Sequence, residues 1–410
     1  MPQPATRYTE GNAHPEPLKI GVIAFNLCRP NVDLVDRIAE LPGVQTSLYP
    51  LAAVDDPAEP RIARLAAATT APRLVALKSL STKEWMCASP AIHLCWRAFQ
   101  DNDVVLVLGL LGAAGITIRL LELVFRKPVA FAVQQVGLLY EHRRHWIIRL
   151  LKRLILSSRF RYVVQTPPTR EVLATYYGIP NDRMIDAPFT GVDANWAERL
   201  RHLPPRTQMR EQIDIGHPDA VITLFVGSLI ELKGIDDLIR AFHSIARKND
   251  ELWIVGGISK GQDGHARSLR KLAAEANRVI RFLGQLPYVD LPRIYGAADI
   301  FVLASRKDTW PKVLVEAASA GLPLITTDAC GAAGYVVQPG RNGFVVEAGN
   351  PKALAAALHT LHNSRELREQ MGRESIRIAL QYQDRHLEQS GFETLICDLR
   401  SDLRTVTRPK

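Results

Sequence analysis

The sequence predicts an α/β protein made of two doubly wound domains. Three observations point there. Short apolar runs alternate with helix-period segments in two separate stretches, a Pro-rich interval lies between them, and 410 residues are too many for one ordinary core. Hydrophobic residues make up 47% and charged residues 23%, a globular composition that excludes a largely disordered or collagen-like chain. Lys and Arg outnumber Asp and Glu by 51 to 42, a net charge of +9. That surplus favours an acidic partner such as a phosphorylated ligand, an anionic membrane or nucleic acid, without choosing among them.

The first predicted strand is the apolar run Leu18 to Phe25, of the kind buried in a parallel sheet. Val32, Val35, Ile38 and Ala39 follow at helical spacing, with Pro42-Gly43 as a stop. Residues 51–100 are Ala-rich and broken by prolines, with Trp85 and Trp96 expected in the core. Strands are predicted at Asp103–Leu108, Pro128–Val133 and Tyr162–Gln165, with a helix ending near Phe125. Asn181 to Pro218 reads as loop-rich, with Pro188, Pro204, Pro205 and Pro218, and the domain boundary is placed near 195–218. This gives a first domain of 18–200, a second of 218–380 and a terminal helical segment of 381–403.

The second alternation holds six predicted strands, at 220–226, 252–255, 279–283, 300–303, 324–326 and 343–346; beyond Pro351 the pattern is helical to about Leu403. The longest apolar run, Val104 to Ile118, contains three glycines and falls short of the ~20 residues a bilayer span needs. Five cysteines without a C-x-x-C pair argue against a disulfide scaffold or zinc knuckle and fit a reducing cytosol. Residues 1–17 show no signal pattern, so a cytoplasmic chain is expected.

Two motifs carry chemistry. In Phe225-Val-Gly-Ser-Leu-Ile-Glu-Leu-Lys-Gly234 a buried strand ends at Gly227, a loop carries Ser228 and Lys233, and Gly234 opens a helix. Free N–H groups at a helix start, with a lysine beside them, can receive a diphosphate; an ordinary strand-to-helix turn with a surface lysine fits the same letters. No Walker A loop and no G-x-G-x-x-G fingerprint occurs. In Asp308-Thr-Trp-Pro-Lys-Val-Leu-Val-Glu316, Asp308 is expected in a loop at the C-terminal end of a strand, where α/β sheets bind ligands. Glu316 is expected two turns into the next helix, placed to accept hydrogen bonds from a ribose diol. The N–H groups of Lys312, Val313 and Leu314 open that helix. The plainer reading makes Asp308 a helix cap and Glu316 a solvated side chain, although a Glu between Val315 and Ala317 needs a partner.

At these residues the chain resembles the retaining glycosyltransferases of family 4, which have the GT-B fold of two Rossmann-like domains facing a cleft. The resemblance runs from 220 to 350. It rests on Val226-Gly-Ser-Leu with Lys233-Gly234, Ile280-Arg-Phe-Leu-Gly284, Leu291-Pro292, Tyr295-Gly-Ala-Ala-Asp299, Asp308 through Glu316, Ala320-Gly-Leu-Pro323, Thr327-Asp328, Gly331 and Gly340-Arg-Asn-Gly-Phe344. It implies that Lys233 binds the donor diphosphate, Glu316 the ribose and Asp308 the transferred sugar. Gln285 and Leu286 would line the base, and no metal or other cofactor would be required. It also implies that the terminal helix crosses back to the first domain and that the acceptor binds there.

The departures are specific. Ser228 stands where the family has an arginine that shares the diphosphate, as in some lipopolysaccharide-core glucosyltransferases, which Cys330-Gly331 also resembles. Asp308 replaces a glutamate, and Gly334 stands where a further glutamate is often found. The first strand lacks the usual Gly-rich loop, and Gln134 follows the strand that normally runs into a sugar-contacting histidine. The resemblance thus implies a hexosyltransferase using a nucleoside-diphosphate sugar, such as a UDP-sugar or GDP-mannose, on a glycan or lipid-linked acceptor in cell-surface polysaccharide or glycolipid assembly. A binding or scaffold subunit that has lost turnover, and a GT-B enzyme of other chemistry, remain alternatives. Residues 143–161 carry seven Lys and Arg and no acid, interleaved with apolar residues. They suit either an amphipathic helix on an anionic membrane, at the cytoplasmic face of the inner membrane, or a core helix with a basic outer face. Few aromatic residues and no nucleic-acid-binding signature argue against a nucleic-acid partner.

Overall fold

A computed structural model describes residues 16–24, 29–50, 89–109, 113–133, 156, 159–188, 192, 194–212, 217, 219–258, 261–276, 278–383 and 385–407. The first sheet has six parallel strands in the order β2-β1-β3-β4-β5-β6: β1 (Leu18–Ala24), β2 (Val44–Pro50), β3 (Val104–Leu108), β4 (Val129–Val133), β5 (Arg161–Val164) and β6 (Met184–Asp186). Its described helices are α1 (Arg29–Ala39), α2 (Ser89–Asp101), α3 (Ala113–Phe125) and α4 (Pro167–Tyr177). Buried residues from α2, α3 and α4 form a core with one set of strand side chains. Leu34, Val35 and Ile38 of α1 belong to the core on the alternate strand residues. The alternation follows from the pleat, which turns successive side chains to opposite faces.

The second sheet also has six parallel strands, in the order β12-β11-β10-β7-β8-β9. They are β7 (Ile222–Val226), β8 (Glu251–Val255), β9 (Val279–Gly284), β10 (Ile300–Leu303), β11 (Leu324–Thr327) and β12 (Gly343–Val346), each within a few residues of expectation. The helices around it are α5 (Ala194–Arg201), α6 (Arg206–Gln212), α7 (Ile235–Ile245), α8 (Asp263–Glu275), α9 (Leu291–Ala297), α10 (Lys312–Ser319), α11 (Pro351–Asn363) and α12 (Arg365–Leu380). The last helix, α13 (Arg385–Thr407), returns to the first sheet. Phe392, Leu395, Ile396 and Leu399 are buried in the α1 core, and Arg161 of β5 binds Asp398 and Asp402, each at 2.9 Å. A Cβ at Gly391 would lie 2.3 Å from the Asp186 carbonyl oxygen, so glycine lets α13 approach β6.

The structure differs from the sequence reading at four places. The loop-rich stretch after 181 also holds β6, α5 and α6. The first domain does not extend to residue 200, because Val192, Trp196 and Met209 are buried in the second core. Trp196 packs at a tilt on Tyr288 and edge-on to Tyr295 there, and Arg206 and Arg210 clasp Asp299. The packing therefore changes from the first sheet to the second between Ala187 and Val192. β2, unexpected from the sequence, is an edge strand. Trp96 is not core but about half exposed, while Trp85 lies outside the described residues.

Candidate functional site

The chain order makes a crevice. From β7 it runs outward to β8 and β9, then crosses to β10 on the other side of β7. The loops leaving β7 and β10 therefore diverge at their C-terminal ends, the place where open α/β sheets bind ligands. Lys233 and Asp308 sit in those two loops.

The β7 loop is shaped by glycines. Gly227 donates its N–H to Val255 O at 2.9 Å, and Leu229 to Gly257 O at 2.9 Å, laying the loop along the end of β8. A Cβ at Gly256 would fall 1.8 Å from Gly227 O, and one at Gly257 would fall 2.7 Å from Gln285 Oε1. At Gly256 only bare backbone permits this convergence, whereas at Gly257 the Gln285 side chain could give way. The convergence leaves an open pocket of about 250 Å³ lined by Gly227, Ser228, Gly256, Gly257, Gln285 and Leu286, among others.

Lys233 ends a 3₁₀ turn, Glu231–Lys233, and Gly234 caps α7 with φ of +60°. A side chain at Gly234 would be strained, and its Cβ would meet Ala304 O at 2.0 Å. Arg306, which the sequence reading did not single out, ties the two loops together. Its backbone N–H donates to Leu232 O at 2.8 Å and its guanidinium to Glu231 O at 3.0 Å. The same group reaches Asp236 and Asp237, both at 2.7 Å. Within this clasp Lys233 Nζ donates to Asp308 Oδ2 at 2.5 Å, both side chains largely buried. Asp308 is not a helix cap, since Pro311 holds that place at α10.

Asp308 is held from the other side by the chain after β11. Its N–H donates to Ala329 O at 3.2 Å and its carbonyl accepts from Gly331 N–H at 2.9 Å. Gly331 is required there, because a Cβ would stand 1.9 Å from Thr309 O. Cys330, between them, is buried, and that burial pushes its thiol up to about 11. It stays protonated at neutral pH and is no nucleophile.

Glu316 is the fifth residue of α10, just past the first turn rather than two turns in. It is buried and accepts a hydrogen bond from Tyr295 Oη at 2.9 Å. Tyr295 is fully enclosed, and burial, reinforced by the Glu316 charge, keeps its phenol well above the ordinary range, so it remains a donor. This is the partner that a glutamate in an apolar helix needs. A signal for it was present, because a buried tyrosine hydroxyl normally finds an acceptor.

The structure thus brings Lys233 and Asp308 into contact and puts Gly227, Ser228, Gln285 and Leu286 around one pocket. Lys312, Val313 and Leu314 open α10 after the Asp308 loop. Gln134 lies outside the described residues, as do residues 143–155 of the basic stretch. Among the described residues no three His, Cys, Asp or Glu side chains cluster as metal ligands, and no helix is long and apolar enough to cross a membrane.

A family model described as glycosyl transferases group 1 matches residues 206–377, the whole of this site's scaffold. These residues form a glycosyl transferases group 1 domain. Spore coat protein SA of Bacillus subtilis is 30% identical over 199 residues, 47% of this chain and 52% of that protein. A D-inositol 3-phosphate glycosyltransferase of Corynebacterium kroppenstedtii is 27% identical over 231 residues, 55% of this chain and 50% of that protein. The matches thus span about half the length of these curated relatives. Among solved structures, Anabaena Alr3699/HepE in complex with UDP has a TM-score of 0.70 at 17% identity, covering 93% of this chain and 100% of that one. WaaG, a glycosyltransferase involved in lipopolysaccharide biosynthesis, has a TM-score of 0.64 at 18% identity, covering 95% and 100%. At such identities the likeness shows the fold, which is GT-B.

Proposed function

We propose that this group 1 glycosyltransferase domain binds a nucleoside-diphosphate sugar and that the chain transfers its hexose, with retention, to a hydroxyl of a glycan or lipid-linked acceptor. The observation that carries the reading is Lys233 facing Asp308 across the crevice beside the glycine-lined pocket. Lys233 meets the diphosphate and stabilises the charge that develops on it as the glycosidic bond breaks, without a metal ion. The base enters the pocket at Gln285 and Leu286. Glu316, oriented by Tyr295, holds the ribose, and the start of α10 at Lys312 and Val313 adds partial positive charge at the phosphates, the Leu314 N–H being taken by Pro311 O at 3.2 Å. Asp308 turns from Lys233 to the sugar hydroxyls. The leaving diphosphate takes the acceptor proton on the same face, and Gln134 hydrogen-bonds the sugar from the first domain.

The same reading places the chain in cell-surface polysaccharide or glycolipid assembly, cytoplasmic and peripheral on the inner membrane, with no nucleic-acid partner. A second reading is favoured by one feature: the only retained cation of the motif is already paired with Asp308 while Ser228 replaces the other. On that reading the chain binds nucleotide but does not turn over.

Titrating the full chain with UDP, GDP, ADP and dTDP, with and without magnesium, tests this by melting temperature. A nucleotide at 100 times its dissociation constant adds about 2.7 kcal/mol. One nucleotide should stabilise the wild type independently of magnesium, and Lys233→Ala should weaken it. Unchanged affinity in Lys233→Ala refutes the diphosphate assignment. Hydrolysis of the matching sugar donor separates the enzyme from the binding subunit.

A further inference from the structure

Two arginines meet at the end of the second sheet that faces away from the crevice. Asp250 precedes β8 and Asp299 precedes β10, so this is the N-terminal end of the strands, a strand length of about 16 Å from the crevice. Arg247 lies in the turn between α7 and β8. Its Nη2 donates to Asn363 Oδ1 at 2.8 Å and reaches His362 O at 3.5 Å. Arg368, in the first turn of α12, donates from Nη1 to Leu361 O at 2.7 Å and to His362 O at 3.2 Å. Both guanidiniums thus converge on one carbonyl at the end of α11, where the last carbonyls of a helix attract cations. Among the described residues neither arginine has a carboxylate within salt-bridge distance.

The acids around the pair are engaged elsewhere. Asp250 accepts from His362 Nδ1 and from the N–H groups of Arg247 and Val221, each at 3.0 Å. Asp299 is held by Arg206, Arg210 and the Ile222 N–H. On α12, Glu369 pairs with Arg365 at 2.8 Å, and Glu366 accepts from Ser364 Oγ at 3.3 Å. Burial, with the charges of Arg247 and Arg365, holds the Arg368 guanidinium below its ordinary value against the pull of Asp299 and Asp250. Like charges gathered and half-buried without a carboxylate of their own carry a standing cost, which a bound anion relieves.

We infer that the corner formed by Arg247 and Arg368 binds a phosphate group, inorganic or carried as a monoester, at a site separate from the crevice. Each guanidinium keeps N–H groups without a protein acceptor, Nε and Nη1 on Arg247 and Nε and Nη2 on Arg368. Filling both forks takes several oxygens and more than one negative charge, which a phosphate supplies and a single carboxylate does not. Arg247 is exposed, so the ligand reaches the corner from solvent. No residue of this corner belongs to the nucleotide site, and the inference stands apart from the transferase reading.

The test is the melting temperature of the full chain in millimolar inorganic phosphate or glycerol 3-phosphate, against chloride and acetate at equal ionic strength. One or both phosphates should raise it where chloride and acetate do not, and the stronger of the two names the form that binds. Arg247→Gln should weaken the effect by at least about tenfold, the worth of one charge-assisted hydrogen bond. Arg247→Lys should restore only part of it, having charge without the fork. Lys271→Gln, which removes the same charge from an exposed position on α8, should change nothing. Equal shifts from chloride or acetate overturn the inference. So does a phosphate shift that Arg247→Gln leaves intact, the mark of general exclusion of phosphate from the protein surface. Loss of the shift in Lys233→Ala, with Arg247→Gln unaffected, places the phosphate in the crevice and overturns it as well. UDP titration of Arg247→Gln should match the wild type. A chain that binds phosphate here but no nucleotide supports this site while removing the transferase reading.

Discussion

Replacing Asp308 by Asn should tighten nucleotide binding while lowering sugar transfer. Lys233 and Asp308 are in contact at 2.5 Å, with side chains 21 and 12% exposed. Fully exposed pairs contribute about 0.2–1 kcal/mol, whereas breaking a buried one costs about 3–5 kcal/mol. This pair lies between, at about 1–2 kcal/mol. A diphosphate that takes Lys233 must displace Asp308 and then tolerate its negative charge. Asp308→Asn removes both obstacles, so UDP, or whichever diphosphate binds, should bind about 5–30-fold more tightly. The free protein should melt slightly lower, because Lys233 loses its counter-charge. Calorimetric titration without magnesium reads the affinity, and radiolabelled transfer reads the turnover. If Asp308→Asn weakens binding as much as Lys233→Ala does, Asp308 orients the lysine instead of competing for it, and the reasoning fails.

Three further outcomes follow from the same structure. Gly256→Ala should lower stability by about 1–3 kcal/mol and reduce nucleotide affinity, since its Cβ would sit 1.8 Å from Gly227 O; equal melting and equal affinity would refute the packing argument. In the second core, His362 bridges Asp250 and Thr223, each at 3.0 Å. Burial alone would raise the Asp250 carboxyl, but hydrogen bonds from His362 and from the N–H groups of Arg247 and Val221 outweigh it and hold it below the ordinary value. A depressed carboxyl contributes stability above its unfolded pKa of about 4 and loses it as pH falls through the folded value. Asp250→Asn should thus flatten the acid limb of the denaturation curve, and His362→Leu should cost about 3 kcal/mol in urea unfolding. Mild alkylation at neutral pH, followed by peptide mass spectrometry, should modify the exposed Cys397 and spare Cys330 and Cys95, whose thiols burial raises to about 11 and about 12.

The second sheet was legible because its strands are continuous apolar runs, and in a parallel sheet covered on both faces that is the whole signal. The first was half legible. Val44-Gln-Thr-Ser-Leu-Tyr-Pro50 is an edge strand with mixed, partly exposed residues, and Met184-Ile-Asp186 is three residues long, so neither carries a run. Trp196 and Met209 sit in polar, proline-punctuated sequence, and only tertiary contact shows that they cap the second core. At the site, Lys233, Asp308 and Glu316 stood out by spacing. Arg306 did not, because its work is to bond backbone carbonyls and carboxylates of another loop, and such pairings leave no period in the sequence. The Gly256-Gly257 pair was visible as glycines after an apolar run, but its reason is contact with Gly227 and Gln285, residues remote in the chain.

Ser228 and Asp308 make one electrostatic change between them. Against the arginine that the family resemblance implies at 228, the serine leaves the β7 loop without a fixed positive charge there, and Asp308, tied to Ala329 and Gly331, sets a carboxylate against Lys233. On the proposed reading, with Lys233 partly neutralised, anion binding in the crevice would rest more on oriented backbone N–H groups at the starts of α7 and α10. At α7 the loop is fixed by the close approach of Gly234 to Ala304 and by Arg306, so its donors would need little reorganisation on the arrival of a diphosphate. A lysine freed only when ligand displaces Asp308 exerts its full charge only when the crevice is filled. That would lower ground-state affinity and reserve the charge for the stage at which the diphosphate departs, the division expected of a group that serves the transition state more than the bound donor.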